Sequence, residues 1–120
     1  MRPVHPDDAL TVSGFSKNGW VVDGRLYPGA LLIAPARAWS LKPVAVDALG
    51  DAHVSLLDAL DQRPSLLLLG TGETMLRASP TFVEAARSHG LSVETMDSRA
   101  AARTYNVLVA EQRSVAALLL

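Results

Sequence analysis

Gly70-Thr71-Gly72 follows a run of four leucines, Leu66 to Leu69, and residues of these types at the end of a strand can hold an anion. Glycines let the backbone turn sharply and bring bare N–H groups against a phosphate or carboxylate. Ligands of α/β sheets commonly sit at the C-terminal ends of strands. Glu94 and Asp97 follow near the ~20-residue offset at which a dinucleotide site places its ribose-binding acid. The pattern then departs from that fingerprint. Met75 stands where its third glycine would be, the next helix starts only around Pro80, and no Gly-Lys-Ser/Thr follows. A tight strand-to-loop turn is the favoured reading; an anion or nucleotide site is the other.

Arg99, Arg103 and Asn106 stand at i, i+4 and i+7 and share one helical face, with Thr104 beside them. Opposite a core face this stripe reads as solvated, with a small-anion or partner site as the alternative. Asn106 is a poor helix former, and its amide offers two donors and an acceptor. It is expected at the rim of the core, bonded to the backbone of a neighbouring loop, with Gly70–Gly72 the first choice.

Nothing else suggests catalysis. His5, His53 and His89 lack partners at ligand spacing: His5 reads as tail, His53 as exposed on a helix and His89 as a helix terminator. No Gly-x-Ser-x-Gly elbow is present. The pairs Asp7-Asp8 and Asp58/Asp61 read as tail and solvated helix face. No metal, cofactor or catalytic residue is expected.

The elements that must position these residues follow from patterning. Leu10–Phe15, Trp20–Val22, Ala30–Ala34 and Trp39–Leu41 read as short strands, separated by the turn formers Lys17-Asn18-Gly19, Asp23-Gly24 and Pro28-Gly29. Val54, Leu57 and Leu60 suggest a helix from Asp51 to Leu60, ended by Arg63-Pro64. Ser65–Leu69 reads as a central strand with Leu66 to Leu69 almost wholly buried. Ser79-Pro80 caps a helix whose inner face is Phe82, Val83 and Ala86, with Ala85 at its margin, closed by His89-Gly90. Ser92–Met96 is a strand and Ser98–Glu111 a helix with Ala101, Ala102, Tyr105, Leu108 and Val109 inward. Ser114–Leu120 is the last strand. This order predicts an α/β domain with a mixed sheet packed by helices and an N-terminal β-hairpin region.

Composition bounds the function. The 120 residues fit one domain, 1–120, with 1–9 expected as a flexible tail. A hydrophobic share of 49% against 19% charged predicts a core rather than disorder. A net charge of -1 gives no field for nucleic acid, and the only lysines are Lys17 and Lys42. The absence of cysteine excludes disulfides and thiol chemistry. Met1–Asp8 lacks the apolar stretch of a secretion signal, and no run approaches the ~20 residues of a membrane span, so cytoplasm is the expected location.

Taken together, Leu66–Gly72 (LLLLGTG), Gly90–Asp97 (GLSVETMD) and Ala102–Leu118 (ARTYNVLVAEQRSVAAL) resemble a known family. It is the small-domain family that includes the mitochondrial respiratory complex I assembly factor 3 and its uncharacterised bacterial and archaeal relatives. The resemblance runs from about Thr11 to Leu119. It implies a three-layer α/β fold on a mixed sheet whose last strand runs antiparallel, with no established enzymatic activity, metal or cofactor. The residues matching the shared pattern are Gly70, Thr71, Gly72, Asp97, Arg103, Thr104, Asn106, Glu111 and Arg113; no catalytic roles attach to them.

Two departures stand out. Gln112 lies where relatives commonly carry Gly, and Gln enters positive φ less readily, so a different turn is expected there. Ser98 replaces the usual Thr and keeps the capping hydroxyl. The expected function is a non-enzymatic binding or assembly protein with protein partners, homo-oligomerisation being a further option. The alternative is a small-molecule or anion/nucleotide-binding domain, a cryptic enzyme being one form of it, with a concave pocket where Gly70–Gly72 meets Asp97 and the last helix.

Overall fold

The structure, a computed structural model, describes residues 8–120; His5, Asp7 and most of the expected tail lie outside them. Five strands open the chain: β1 (Val12–Ser16), β2 (Gly19–Val22), β3 (Arg25–Pro28), β4 (Ala30–Ala34) and β5 (Arg37–Leu41). A short helix α1 (Asp51–Val54) precedes β6 (Leu66–Gly70), α2 (Pro80–Ser88), β7 (Ser92–Met96), α3 (Ser98–Ala110) and β8 (Val115–Leu119).

The strands form a three-stranded antiparallel sheet, β1-β2-β3, and a five-stranded mixed sheet in the order β5-β4-β8-β6-β7. The last strand is antiparallel to β4 and parallel to β6. Both relations have one cause: crossovers through α2 and α3 keep β6, β7 and β8 parallel, and β8 then closes against the hairpin strand β4.

Period-two alternation on the central strands divides the interior into two cores. Leu31, Ile33, Leu68, Ala117 and Leu119 face α3 and the small sheet, where Tyr105, Ala101 and Val22 meet them. Leu32, Leu67, Leu69, Ala116 and Leu118 face the opposite way, onto Phe82 and Ala86 of α2 and Val54 and Leu57. The molecule is therefore three layers deep, with the five-stranded sheet in the middle. Leu67, Leu68 and Leu69 are fully buried, whereas Leu66, at the strand's entry, is only partly so.

The structure corrects several expectations. β3 was not anticipated: Arg25, Leu26 and Pro28 are exposed, so the strand carries no buried alternation. It is fixed instead by the turn Asp23-Gly24, whose φ values of 51 and 81 are both positive, the conformation that matches hairpin twist. The helix expected over Asp51–Leu60 stops at Val54 and tightens into 3₁₀ turns over Ser55–Ala59. Val54, Leu57 and Leu60 recur every three residues, which is the 3₁₀ repeat. Val83 points outward from α2, 42% exposed, because Phe82 and Ala86 alone complete its narrow inner face.

Candidate functional site

The glycine motif is a structural corner. Gly70 ends β6 directly beneath the start of α3, and a Cβ there would lie 2.7 Å from Ser98 Cα. Ser98 is buried, and its hydroxyl accepts from Gly72 N (2.7 Å) while donating to Leu120 O (2.9 Å). Ser98 N donates to Gly72 O at 2.8 Å, and Leu120 N to Gly70 O at 2.9 Å. Thr71 N donates to Met96 O at 3.0 Å. The Thr71 hydroxyl donates to Thr74 O (2.7 Å) and accepts from Leu76 N (2.9 Å), fixing the loop that follows. The Thr71 and Gly72 amides are thus already engaged, and the corner offers an anion neither of them. Asp97 does not turn into a pocket: it caps α3, accepting from Ala100 N at 2.9 Å.

On α3 the stripe of Arg99 and Asn106 is not a solvated face. The Arg99 guanidinium stacks 4.2 Å from the Phe15 ring centroid, and Asn106 bonds the backbone of Val12. Both residues therefore hold β1 against the helix. Arg103 between them is exposed, and Thr104 is half-buried. The expected partner of Asn106, the Gly70–Gly72 loop, is wrong because that loop sits at the N-terminal end of α3, two turns away.

Glu111 and Arg113 belong to the far end of α3. Glu111 is the C-cap, Gln112 adopts φ 59, and Arg113 N returns to Leu108 O at 2.9 Å. This is the same six-to-one closure that Gly90 gives α2, where Leu91 N bonds Ala86 O at 3.0 Å. The turn is therefore not altered by Gln112; the glutamine simply takes up the left-handed conformation. The nine motif residues thus fall into three groups along an α3 about 20 Å long and do not form one site.

A concave surface does open beside the corner. A half-open groove of about 1020 Å³ runs between the small sheet, the end of β5 and the N-terminus of α3. Gly72, Ser98 and Arg99 line it, as does Glu73, whereas Asp97 does not. Phe15 and Trp20 form an aromatic wall, ring centroids 5.8 Å apart. Lys17 and Lys42, the only lysines of the chain, line the same groove. Sequence reasoning missed this convergence because Lys17, Lys42 and Arg99 come from three separate segments with no common spacing. The one available signal was that both lysines fall in turns flanking β-prone runs.

His89 is more than a helix terminator. Its ring bridges Asp51 (Nε2, 2.7 Å) and Asp58 (Nδ1, 3.1 Å), and Arg63 pairs with Asp58 at 2.9 Å. Asp58 is therefore ion-paired rather than merely solvated. The hydrogen bond to Asp51, then that to Asp58, raises the His89 pKa above 6.5. Burial pushes the Tyr105 phenol upward, and its hydroxyl donates to Leu10 O at 2.9 Å. Among the described residues no group of three His, Cys, Asp or Glu is placed to hold a metal ion. No helix among them is long and apolar enough to cross a membrane.

With this geometry in hand, the chain belongs to the DUF498/DUF598 family, described as a protein of unknown function, which its residues 12–120 match. It is similar to the NADH dehydrogenase [ubiquinone] 1 alpha subcomplex assembly factor 3 of Xenopus tropicalis, 28% identical over 92% of this chain and 61% of that protein. The chain thus spans about three-fifths of the length of the assembly factors it matches. An uncharacterised protein of Rhodobacter capsulatus is 31% identical over 100% of this chain and 93% of its own length. Among solved structures, an outer membrane protein from Bartonella henselae superposes with a TM-score of 0.81 at 28% identity, covering 97% of this chain and 98% of that one.

Proposed function

We propose that this domain is a cytoplasmic, non-enzymatic binding module of the assembly-factor kind, which docks a protein partner in the groove beside α3. The observation that carries the reading is the groove itself. It gathers an exposed aromatic ring, Phe15, with Lys17, Lys42 and Arg99, in a chain whose net charge is only -1. Aromatic and arginine side chains dominate binding energy at protein interfaces. The similarity to complex I assembly factors supports a role in bringing other proteins together.

The test is affinity capture of the tagged chain from its host, compared with a Phe15→Ala/Arg99→Ala variant. A protein recovered reproducibly with the wild type and lost with the variant is the expected result. Turnover of a metabolite in an unbiased substrate screen, with no partner ever recovered, would end this reading. A second reading, a small anionic ligand, is favoured by the same three cations. It places the ligand in the groove and not on the Gly70–Gly72 amides, two of which are engaged.

A further inference from the structure

Resting on that docking reading, we infer the chemistry of the occupant: an acidic segment of a partner protein whose carboxylates flank an aromatic or aliphatic side chain. Charge gives the first half of the argument. Lys17, Lys42 and Arg99 line the groove against a single acidic side chain, Glu73, and among the described residues none of the three cations makes an ion pair with a side chain. The Arg99 guanidinium carbon sits 4.2 Å from the Phe15 ring centroid. A guanidinium held over a ring in this way keeps N–H groups to offer a carboxylate.

Shape and apolar exposure give the second half. Phe15 is 48% exposed although it contacts Trp20, which is only 7% exposed, so about half of that residue's surface stays open to a visitor. Beyond Glu73 the same loop exposes two further apolar side chains, Met75 (62%) and Leu76 (49%). Small-ligand pockets enclose most of their ligand within roughly 300–1,000 Å³. This groove is at that upper limit and half-open, which suits a chain segment entering and leaving. A nucleic acid is disfavoured, because its binding draws on cations set along successive phosphates and only three cations converge here.

Random peptides displayed on phage and selected on the folded wild-type chain test the inference. Selected sequences should be enriched in Asp and Glu around Phe, Trp or Leu. A synthetic peptide of the selected sequence should bind at least about tenfold more weakly to Lys17→Glu/Lys42→Glu, and more weakly as salt rises. Circular dichroism melts check that the variant folds; Lys17→Gln/Lys42→Gln is the substitute if it does not. The inference is overturned if no peptide is selected, if selected peptides lack acidic enrichment, or if the charge variants bind them unchanged. Displacement of the peptide by citrate at equal concentration would also overturn it, in favour of a small-anion site. A host partner retained by the charge variants would sink the groove chemistry while leaving the docking reading intact. Peptides selected with no host partner would do the reverse.

Discussion

Asn106 on α3 and Val12 on β1 exchange two hydrogen bonds, Val12 N to Oδ1 at 2.9 Å and Nδ2 to Val12 O at 2.8 Å. The side-chain amide stands in for a neighbouring strand, satisfying a β1 residue at the point where its register with β2 slips between Val12 and Gly14. Asn106→Leu keeps the volume and leaves both Val12 groups without that partner. It should destabilise by ~1–3 kcal/mol in chemical denaturation and speed amide exchange in β1 selectively. An unchanged midpoint would mean that water replaces the amide without cost.

The corner under α3 predicts two sharper effects. Gly70→Ala places a methyl group 2.7 Å from Ser98 Cα and 2.8 Å from its hydroxyl, and a backbone atom cannot swing aside. A loss of ~1–3 kcal/mol is expected from overpacking. Ser98→Ala removes the hydroxyl joining Gly72 N to Leu120 O and should cost a similar ~1–3 kcal/mol. Ser98→Thr, which keeps the hydroxyl, should lose much less. Thermal melts of the three variants decide this.

Leu68 lies fully buried between Ala117 of β8 and Glu94 of β7 in register, in the core that α3 covers. Leu68→Ala should cost ~2–5 kcal/mol, the sum of lost transfer energy and a residual cavity. A denaturation midpoint corresponding to much less would contradict the two-core architecture.

The order of elements was legible from Ser79 onward because each signal there is local: a capping Ser-Pro, a terminating His-Gly, an apolar run between breakers. β3 and the 3₁₀ segment were not, since β3 is held by a turn rather than by burial and Val54, Leu57 and Leu60 fit either helix type over so short a stretch. Asn106 was legible as a polar residue with a structural task. Its partner was not, because sequence gives a side chain's donors and acceptors but not which of two neighbours lies beside it. The groove was invisible for a related reason: its charges come together only when β1, β5 and α3 are assembled.

Gln112 occupies the left-handed region at φ 59, a position that Gly90 fills at φ 79 in the equivalent turn of α2. For a residue with a Cβ this conformation costs roughly 1–2 kcal/mol. Gln112→Gly should therefore stabilise by roughly 1 kcal/mol after the added entropy of the unfolded chain is subtracted. A lower melting temperature would mean that the Gln112 side chain makes compensating contacts in a separate concavity of about 550 Å³ that it lines with Arg113 and Pro64.

The last prediction concerns His89, whose ring joins the end of α2 to Asp51 on α1 and Asp58 on the 3₁₀ turn. Its side chain is 15% exposed, so the pairs are partly shielded from water. Hydrogen bonds to Asp51 and then Asp58 hold its folded pKa above 6.5, and partial burial opposes them without reversing the direction. A raised pKa means the folded state holds the proton more tightly than the unfolded one. The stabilisation is then fully present below 6.5 and is lost as pH rises through the folded value. The melting temperature should fall as pH rises above 6.5 and through the folded value, and the difference between wild type and His89→Gln should shrink over that interval. NMR titration of the imidazole should give a pKa above 6.5 in the wild type and a lower one in Asp51→Asn. A wild-type melting curve parallel to that of His89→Gln across the interval would show that the bridge contributes nothing to the docking of α2 on α1.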